Sequence, residues 1–311
     1  MEKIKSFSDE VNIENKRVIL RSDFNVPIIN ELIQDKTRIN QSIPFIENLI
    51  KKKAKVLLIS HLGRPKNESD LTLSLKPVFN YLQEKIKSKI YFCSEKITDK
   101  TKEEISFLNA GEIILFENIR FNKGELKNDD NFAKVLSSMG EIYINDAFSC
   151  SHRKQTSVHK ITKYIKKSYA GPLLMKEVLT IDMALNNKKK PITCIIGGSK
   201  ISTKIGVITS LVKKVDNLVI VGAMANNFLK FRGNKVGKSI IESGSEKIIE
   251  GIYDNAKENN CDIIIPEDFA VSEITEGNAN LRDINNLKEN EIILDIGPQT
   301  IERIKKIIDI S

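Results

Sequence analysis

Arginine is scarce in this chain, and its placement is informative. Only nine of the 49 basic residues in the 311-residue sequence are arginines. The planar guanidinium group binds phosphate and carboxylate through paired hydrogen bonds, whereas the lysine ammonium group is a hydrated point charge. Four arginines follow strand-like runs or begin a helix-like segment: Arg38, Arg64, Arg120 and Arg153. This placement predicts an oxyanion site, although any one of them could instead be an ion-pair partner at the surface.

Other polar side chains share these loops. Asp23 and Asn25 alternate just past a strand-like run, so both can face one crevice and hydrogen-bond hydroxyl groups. A plain polar turn is the alternative interpretation. His61 and Arg64 flank a glycine, which lets the backbone approach a ligand, and Pro65 stiffens the turn. We interpret this pair as oxyanion-binding, with a purely structural histidine as the alternative.

A glycine turn in the second half has the features of a phosphate-binding loop. Residues 195–204 consist of an apolar run, paired glycines and the expected start of a helix. Glycines remove side-chain obstruction, and a helix N-terminus offers free N–H groups to anions. Lys200 and Lys204 could neutralise a polyphosphate. The segment is not a Walker A loop, and a simple strand-to-helix turn is the alternative.

The elements that position these loops alternate between strands and helices. In the first half, strands are predicted at residues 17–21, 55–60, 112–116 and 141–144, and helices at 37–53, 73–87 and 130–138. Thr37 is the expected N-cap of the first of these helices. Such alternation predicts a parallel sheet covered by helices, with ligands bound outside the carboxyl ends of the strands.

The second half repeats this pattern after a connecting helix. Residues 171–185 carry apolar side chains at helical spacing, and a polar, lysine-rich segment ends at Pro191. Further strands are predicted at 192–196, 217–221, 262–265 and 292–295, followed by a helix at 299–308. We therefore expect an α/β protein with two Rossmann-like domains that have parallel sheets, joined by a connecting helix. The expected boundaries are 1–168, 169–190 and 191–311, and the second domain looks incomplete.

Composition narrows the functional classes. With 41% hydrophobic and 29% charged residues, the chain resembles soluble globular proteins rather than disordered or fibrous ones. It has no membrane-length apolar run, no signal-peptide core and no closely spaced cysteine pair, so we expect a cytoplasmic protein. The net charge of +8 fits either a lysine-rich solvated surface or attraction for anions. Aromatic and basic residues are not interleaved, so no nucleic-acid partner is expected.

Together, these segments resemble the phosphoglycerate kinase family from residue 17 to the C-terminus. The motifs that carry the resemblance are Arg-Ser-Asp-Phe-Asn-Val-Pro (21–27), Thr-Arg-Ile (37–39), His-Leu-Gly-Arg-Pro (61–65), Leu-Phe-Glu-Asn-Ile-Arg-Phe (115–121), Asn-Asp-Ala-Phe (145–148), Gly-Gly-Ser-Lys (197–200), Val-Gly-Lys-Ser (236–239) and Leu-Asp-Ile-Gly-Pro (294–298). The resemblance implies reversible phosphoryl transfer between 1,3-bisphosphoglycerate and ADP, giving 3-phosphoglycerate and ATP in glycolysis and gluconeogenesis. It also implies Mg²⁺ bound with ATP or ADP, no membrane partner and a monomeric state.

The resemblance also implies roles for individual residues. Arg38 and Lys200 would be catalytic, and no residue of this chain is expected to be a metal ligand by itself. The expected substrate-binding residues are Asp23, Phe24, Asn25, Arg38, His61, Leu62, Gly63, Arg64, Arg120 and Arg153. The expected nucleotide-binding residues are Gly198, Lys200, Lys204, Gly222, Ala223 and Gly297. Since the nucleophile in the ATP-consuming direction is an ionised carboxylate, the chemistry requires alignment and charge neutralisation rather than a general base. A connecting helix suits hinge closure that excludes water.

Three departures from the family pattern leave an alternative open. The second histidine of a His-Arg-x-His segment is Gln155, and a Gly-Gly-Gly-Met segment is Val-Gly-Ala-Met at 221–224. The family's later Trp-Asn-Gly-Pro, Gly-Gly-Gly-Asp and His-x-Ser-x-Gly-Gly-Gly segments do not occur in this sequence. The sequence therefore predicts either a phosphoglycerate kinase whose last part is absent here or supplied by another chain, or a short, impaired relative that binds anions without turnover.

Overall fold

The chain divides into two compact units. The structure is a computed structural model that describes residues 4–67, 70–186, 190–275 and 278–311. Met1–Thr180 form the first unit and Ile181–Ser311 form the second. The division falls inside the helix that the sequence predicts as a connector. No helix in the described part of the chain is both long and apolar enough to cross a membrane.

The first unit contains eight strands and seven helices among its described residues. The strands are β1 (Arg17–Arg21), β2 (Ile28–Ile29), β3 (Leu32–Ile33), β4 (Lys55–Ile59), β5 (Ile90–Cys93), β6 (Ile113–Phe116), β7 (Ile142–Asn145) and β8 (Ser168–Ala170). The helices are α1 (Thr37–Lys51), α2 (Lys76–Lys85), α3 (Thr101–Glu104), α4 (Lys123–Lys127), α5 (Asp130–Ser138), α6 (Ile161–Tyr164) and α7 (Pro172–Leu185), whose last residues belong to the second unit. Short 3-10 turns lie at Leu71–Leu73, Ile119–Phe121 and Phe148–Cys150, and a π-helical turn lies at Thr156–Lys160.

A six-stranded parallel sheet is the core of the first unit. Its strand order is β5-β6-β4-β1-β7-β8, while β2 and β3 form a separate antiparallel hairpin. Strands that are buried on both faces are continuously apolar, and β1 illustrates this pattern. Val18 and Leu20 pack into one hydrophobic cluster, whereas Ile19 packs into the cluster on the opposite face. The sheet is therefore a rigid platform for the loops at its carboxyl edge.

The second unit has two small sheets. Its strands are β9 (Thr193–Gly197), β10 (Asn217–Val221), β11 (Asp262–Ile264), β12 (Asp268–Ser272), β13 (Asn280–Asp283) and β14 (Ile292–Ile296). Its helices are α8 (Ile205–Leu211), α9 (Ala223–Phe231), α10 (Glu246–Glu258) and α11 (Pro298–Asp309). One sheet is parallel with the order β11-β10-β9, and the other is antiparallel with the order β13-β12-β14. The main core of the unit lies on one face of the parallel sheet.

Most of the predicted elements occur, and the α/β class is confirmed. The prediction is wrong at three points. Thr37 is the first residue of α1 rather than its N-cap, and its backbone N–H donates to the Asp35 carboxylate at 2.8 Å. The strand predicted at 292–295 is antiparallel to β12 instead of joining the parallel sheet. The helix expected directly after the paired glycines begins later, at Ile205, because residues 201–204 form turns.

Candidate active site

The loops that carry the predicted substrate residues follow four neighbouring strands. In the order β6-β4-β1-β7, the loops that follow these strands carry Arg120, His61, Asp23 and Arg153 respectively, and Arg153 lies eight residues past the end of β7. Because all four strands are parallel, their carboxyl ends lie along one edge of the sheet. Arg38 is added from the first turn of α1. The sheet thus gathers side chains that are far apart in the sequence.

Arg38 is held at the edge of this site by the loop after β1. Its Nη1 donates to the Asp23 Oδ2 atom at 2.8 Å and to the Asn25 carbonyl oxygen at 3.2 Å. The Ser149 hydroxyl donates to the same Asp23 oxygen at 2.5 Å. About half of the Arg38 side chain is nevertheless exposed. The guanidinium group is therefore oriented from one side and open to a ligand on the other.

The glycine turn after β4 is fixed by contacts with two other loops. Gly63 has a φ of +54°, and an added Cβ would lie 2.6 Å from the Leu73 side chain, so the turn requires glycine. Its N–H donates to the Asn25 side-chain oxygen at 2.8 Å, and its carbonyl accepts from Arg120 Nη1. Arg120 Nε is buried and has no hydrogen-bond partner among the described residues.

The electrostatics of the site favour anions. Burial, as the largest cause, and the positive charges of Arg21, Arg120, Arg153 and Arg38 together lower the pKa of His61 to about 2. His61 is therefore neutral at physiological pH. Burial lowers the pKa of the Arg120 guanidinium as well, and Arg153 and Arg21 act in the same direction. A bound oxyanion would offset the positive charge that these guanidinium groups place around His61 and Arg120.

Phe24 and Leu62 contact neighbouring loops through their backbone groups, whereas Arg64 and Arg153 are more exposed. Phe24 is fully buried, and its N–H donates to the Ser60 hydroxyl at 2.9 Å. The N–H and the carbonyl of Leu62 are both hydrogen-bonded to the Asn118 side chain. Arg64 is exposed and Arg153 is half-buried. The sequence suggests roles for these residues, and those roles remain predictions.

Two glycine loops of the second unit lie against each other. Gly222 has a φ of +68°, and an added Cβ would lie 3.4 Å from the backbone N and O atoms of Gly198. The Met224 N–H donates to the Gly198 carbonyl at 2.8 Å. Lys204 Cε lies 3.9 Å from the position that a Cβ of Gly198 would take. Three of the predicted nucleotide residues, Gly198, Lys204 and Gly222, are therefore close together, while Lys200 lies in the exposed loop between them.

An apolar cavity adjoins these glycines. It has a volume of 220 Å³ and reaches Gly222 and Ala223 at the start of α9. Phe269 and Leu294 are among the apolar side chains that line it, and Asp295 lines it as well. Gly297 follows β14 at the start of α11, where its N–H donates to the Asp268 carbonyl at 2.7 Å.

Residues that sequence reasoning missed hold these loops in place. The buried Asn118 and Glu117 side chains bind loop backbone at Leu62 and Leu75. Asp146, directly after β7, accepts from the N–H groups of Leu173 and Leu174 at 2.7 and 3.2 Å. Burial raises the pKa of Asp146 to about 6. A cavity of 150 Å³ next to Arg38 is lined by residues that include Asp23, Asp146 and Ser149. The Asn-Asp-Ala-Phe motif at 145–148 marks Asp146 in the sequence, but the motif does not show that Asp146 bonds to Leu173 and Leu174.

An α/β fold that presents arginines in one unit and glycine loops with lysines in the other places this chain in the class of phosphotransferases. The family model for phosphoglycerate kinase matches residues 8–311. A phosphoglycerate kinase of Wolbachia sp. subsp. Drosophila simulans (strain wRi) is 44% identical over 301 residues, covering 96% of this chain and 75% of the relative. One of Orientia tsutsugamushi (strain Ikeda) is 41% identical over 314 residues, covering 100% of this chain and 77% of the relative. The chain belongs to the phosphoglycerate kinase family.

Solved structures agree with this assignment. The structure of phosphoglycerate kinase from Coxiella burnetii matches with a TM-score of 0.76 and 35% identity, covering 96% of this chain and 76% of that one. The phosphoglycerate kinase of Pyrococcus horikoshii OT3 matches with a TM-score of 0.80 and 26% identity, covering 96% and 77%. The family and the two-domain Rossmann-like fold expected from the sequence are confirmed.

Proposed function

We propose that this chain catalyses reversible phosphoryl transfer between 1,3-bisphosphoglycerate and ADP, giving 3-phosphoglycerate and ATP. The observation that carries the proposal is the group of arginines around the neutral His61. Arg120 Nε is buried without a hydrogen-bond partner among the described residues, and the charges of Arg153 and Arg21 lower the pKa of Arg120. The carboxylates next to this group, Asp23 and Glu125, are fewer than its guanidinium groups. A ligand with both a phosphate and a carboxylate would supply the missing negative charge. The reaction would serve glycolysis and gluconeogenesis.

The first unit would bind the phosphoglycerate. Arg64, Arg120 and Arg153 would hold its phosphate, because guanidinium groups match the geometry of oxyanions. Asp23 and Asn25 would accept from or donate to its hydroxyl and carboxyl groups. His61 would donate one N–H as a neutral group. Phe24, Leu62 and Gly63 would shape the pocket, because their backbone groups fix the loops after β1 and β4.

The second unit would bind the nucleotide. The base would occupy the apolar cavity beside Gly222 and Ala223, since such cavities suit flat aromatic ligands. The phosphates would lie toward Gly198, Lys200 and Lys204, where two lysines offset their charge. Gly297 would lie beside the nucleotide, because it directly follows Ile296, which lines the cavity.

No general base is required for the chemical step. The attacking group in the ATP-consuming direction is the carboxylate of 3-phosphoglycerate, which is already ionised at neutral pH. Arg38 would orient this group, and Lys200 would neutralise charge on the transferred phosphoryl group. Both roles stabilise charge that is spread over the phosphoryl oxygens during transfer, so removal of either side chain would lower turnover.

The described residues fit a magnesium ion that arrives with the nucleotide. Among these residues, no group of three or more His, Cys, Asp or Glu side chains could hold a metal ion. Mg²⁺ commonly keeps waters and binds through substrate phosphates and one or two carboxylates. Asp295, which lines the cavity, is the carboxylate that could contribute. When bound, the ion would offset phosphate charge.

We also place the enzyme in the cytoplasm as a monomer. Its proposed substrates are highly charged small molecules that do not cross membranes unaided. Each of the two candidate sites is built from residues of a single chain. Neither proposal calls for a membrane or nucleic-acid partner.

A coupled assay with 3-phosphoglycerate and MgATP tests the reaction, and calorimetry with 3-phosphoglycerate alone tests the site. We expect turnover, and we expect Arg153→Ala to weaken 3-phosphoglycerate binding about tenfold because a charge-assisted hydrogen bond is lost. Arg232→Ala is the matched control. It also removes one positive charge, but Arg232 contacts Tyr253 in the second unit. Binding without turnover, or equal effects of both substitutions, would contradict the proposal.

A further inference from the structure

A buried chain of hydrogen bonds lies beneath the candidate substrate site. The Ser157 N–H and hydroxyl group donate to the two carboxylate oxygens of Glu125 at 2.9 and 2.6 Å. Arg21 Nε donates to the Ser157 hydroxyl oxygen at 3.2 Å. All three residues are completely buried. The Glu125 carboxyl group and the Arg21 guanidinium group are therefore linked through one serine, and buried polar networks of this kind hold side chains in a single geometry.

The chain of contacts ends on His61. Arg21 Nη2 lies 2.9 Å from His61 Nδ1, and the third Arg21 nitrogen, Nη1, donates to the Ser22 carbonyl. A guanidinium group has only donors, so Nδ1 must accept this hydrogen bond through its lone pair. In a neutral imidazole the proton is then on Nε2. The contact with Arg21 therefore decides which nitrogen of His61 can donate to a ligand.

The surroundings of His61 keep the ring uncharged. Burial and the charges of Arg21, Arg120, Arg153 and Arg38, which come from β1, the turn after β6, the loop after β7 and α1, all lower its pKa. The nearby carboxylates, Asp23 and Glu125, are each bonded to other groups. A neutral imidazole has two tautomers, and only the Nε2–H form donates from the nitrogen opposite Arg21. A neutral His61 ring is therefore not sufficient for donation from Nε2, because the ring must also be the Nε2–H tautomer.

We propose that Arg21, held by Ser157 and Glu125, is a positioning residue that fixes His61 as the neutral Nε2–H tautomer, so that His61 donates this N–H to an oxygen of the phosphoglycerate. The ligand half of this statement rests on the function proposed above, whereas the tautomer half does not. Because the donor is neutral, His61 offers the same hydrogen bond across the physiological pH range. Arg21 is not itself expected to touch the substrate.

The tautomer can be measured on the unaltered chain without any ligand. The sequence has three histidines, so ¹⁵N NMR of the imidazole nitrogens gives few signals. The variants His152→Gln and His159→Gln each remove one set of signals and thereby assign the third to His61. We expect a protonated Nε2 and an unprotonated Nδ1 from pH 5.5 to 9, with no titration. An Nδ1–H tautomer, or a titration midpoint above pH 6, would overturn the proposal.

Substitution of Arg21 tests the cause. Arg21→Met removes the donor and one nearby positive charge, so the two tautomers should mix and the pKa of His61 should rise. We expect KM for 3-phosphoglycerate to increase about tenfold and to become pH-dependent, with kcat changing less than threefold. Arg21→Lys keeps a group that only donates, and it should restore the Nε2–H form at least in part. Ser157→Ala, which breaks the link to Glu125, should give an intermediate result.

The readouts separate positioning from a merely structural role. A structural role would lower the unfolding temperature of Arg21→Met but leave the tautomer and the pH profile of KM unchanged, and this result would overturn the proposal. If Arg21→Met does not fold, the measurement on the unaltered chain still decides the tautomer. If the unaltered chain shows the Nε2–H form but does not bind 3-phosphoglycerate, the proposed function fails and the tautomer assignment stands. If it binds 3-phosphoglycerate with His61 as the Nδ1–H tautomer, the function stands and the proposed role of Arg21 fails.

Discussion

The two units hold their candidate ligand groups in different ways. In the first unit, His61 and Arg120 are buried and bonded to neighbouring loops. In the second unit, Lys200 and Lys204 are exposed in an irregular loop between β9 and α8. Groups that are already ordered lose little conformational entropy on binding, whereas exposed lysines must be ordered by the ligand. The candidate ligand groups of the first unit are therefore held in a fixed geometry, whereas the lysines of the second unit can adjust to a ligand.

The sheet below the site of the first unit is also better packed than the sheet below the site of the second unit. Strands β4 and β6 lie in the interior of a six-stranded sheet with large hydrophobic clusters on both faces. Strand β9 is paired only with β10 in the described part of the chain, and the Ile195 side chain is 48% exposed. The cluster on that face of the second sheet has only three fully buried members. Packing and site rigidity therefore vary together between the units.

Loss of Arg38 is the change with the largest expected effect. Arg38→Ala removes a pre-oriented charge from the first unit, and turnover should fall about 10³-fold, as it does when a donor to a developing charge is lost. ATP affinity, measured by calorimetry, should stay within twofold. Lys36→Ala, an exposed cation two residues earlier, is the control. Equal loss of ATP binding would show that the units do not divide the ligands in this way.

The packing difference predicts unequal effects of truncation in the two sheets. Leu58 in β4 is completely buried, so Leu58→Ala should lower the free energy of unfolding by about 3 kcal/mol through lost burial and a cavity. Ile195→Ala in β9 removes a similar side chain that is half exposed, and it should cost less than about 1 kcal/mol. Urea unfolding curves measure both values. Similar losses would mean that β9 is as well packed as β4.

Loss of Lys200 from the exposed loop between β9 and α8 should have a smaller effect on ligand binding. Lys200→Ala removes one charge from an exposed segment, so we expect ATP affinity to fall about tenfold, a moderate charge-assisted contribution. 3-Phosphoglycerate binding should not change. Lys213→Ala, another exposed lysine of the second unit, serves as the comparison. A drop in ATP affinity of more than about 10³-fold would indicate a site as rigid as that of the first unit.

The buried Asp146 carboxylate of the first unit should carry a small, pH-dependent cost in folding stability. The native pKa of Asp146 is about 6, above the usual value. The folded state therefore binds this proton more tightly, and its free energy of unfolding falls as pH rises from about 4 to above 6. Asp146→Asn keeps an acceptor for the Leu173 N–H without this loss. Relative to the unaltered chain, the variant should gain on the order of 1 kcal/mol between pH 4 and pH 8.

One outcome would contradict the expected pH dependence of Asp146→Asn. Unfolding measured at both pH values gives the difference between the variant and the unaltered chain. A gain that is the same at pH 4 and pH 8 would show that burial does not disfavour the Asp146 carboxylate.

Sequence patterns were sufficient for the elements that local composition specifies. Strands β1, β4 and β6 are continuous β-branched or aliphatic runs next to polar turns, and each was predicted to within one residue at either end. Strand β5 and strands β12 and β13 were not predicted. Polar and charged residues interrupt β12 and β13, and their pairing depends on partners elsewhere in the chain.

The residues of the candidate site could be predicted only where the local sequence marks them. His61, Arg64, Arg120 and Arg153 follow strands, and Arg38 is near the start of a helix; both placements are local signals. Arg21 was missed because it is the last residue of β1 and its partners, His61 and Ser157, are 40 and 136 positions away in the sequence. The loop at Gly198 was predicted, but the delayed start of α8 was not, because residues 201–204 form turns whose contacts include the distant Glu242. Long-range hydrogen bonds were the information that the sequence pattern lacked.

The adjacency of β6, β4, β1 and β7 has a consequence for chain connectivity. The arrangement of the proposed substrate residues depends on which strands are neighbours in the sheet, and it does not depend on the order of those strands along the chain. A circularly permuted chain that is cut in an outlying loop should therefore rebuild the same constellation of arginines. An insertion that wedges a new strand between β4 and β1 would separate His61 from Arg21 by one strand spacing, and it would dismantle the constellation without altering any of its residues.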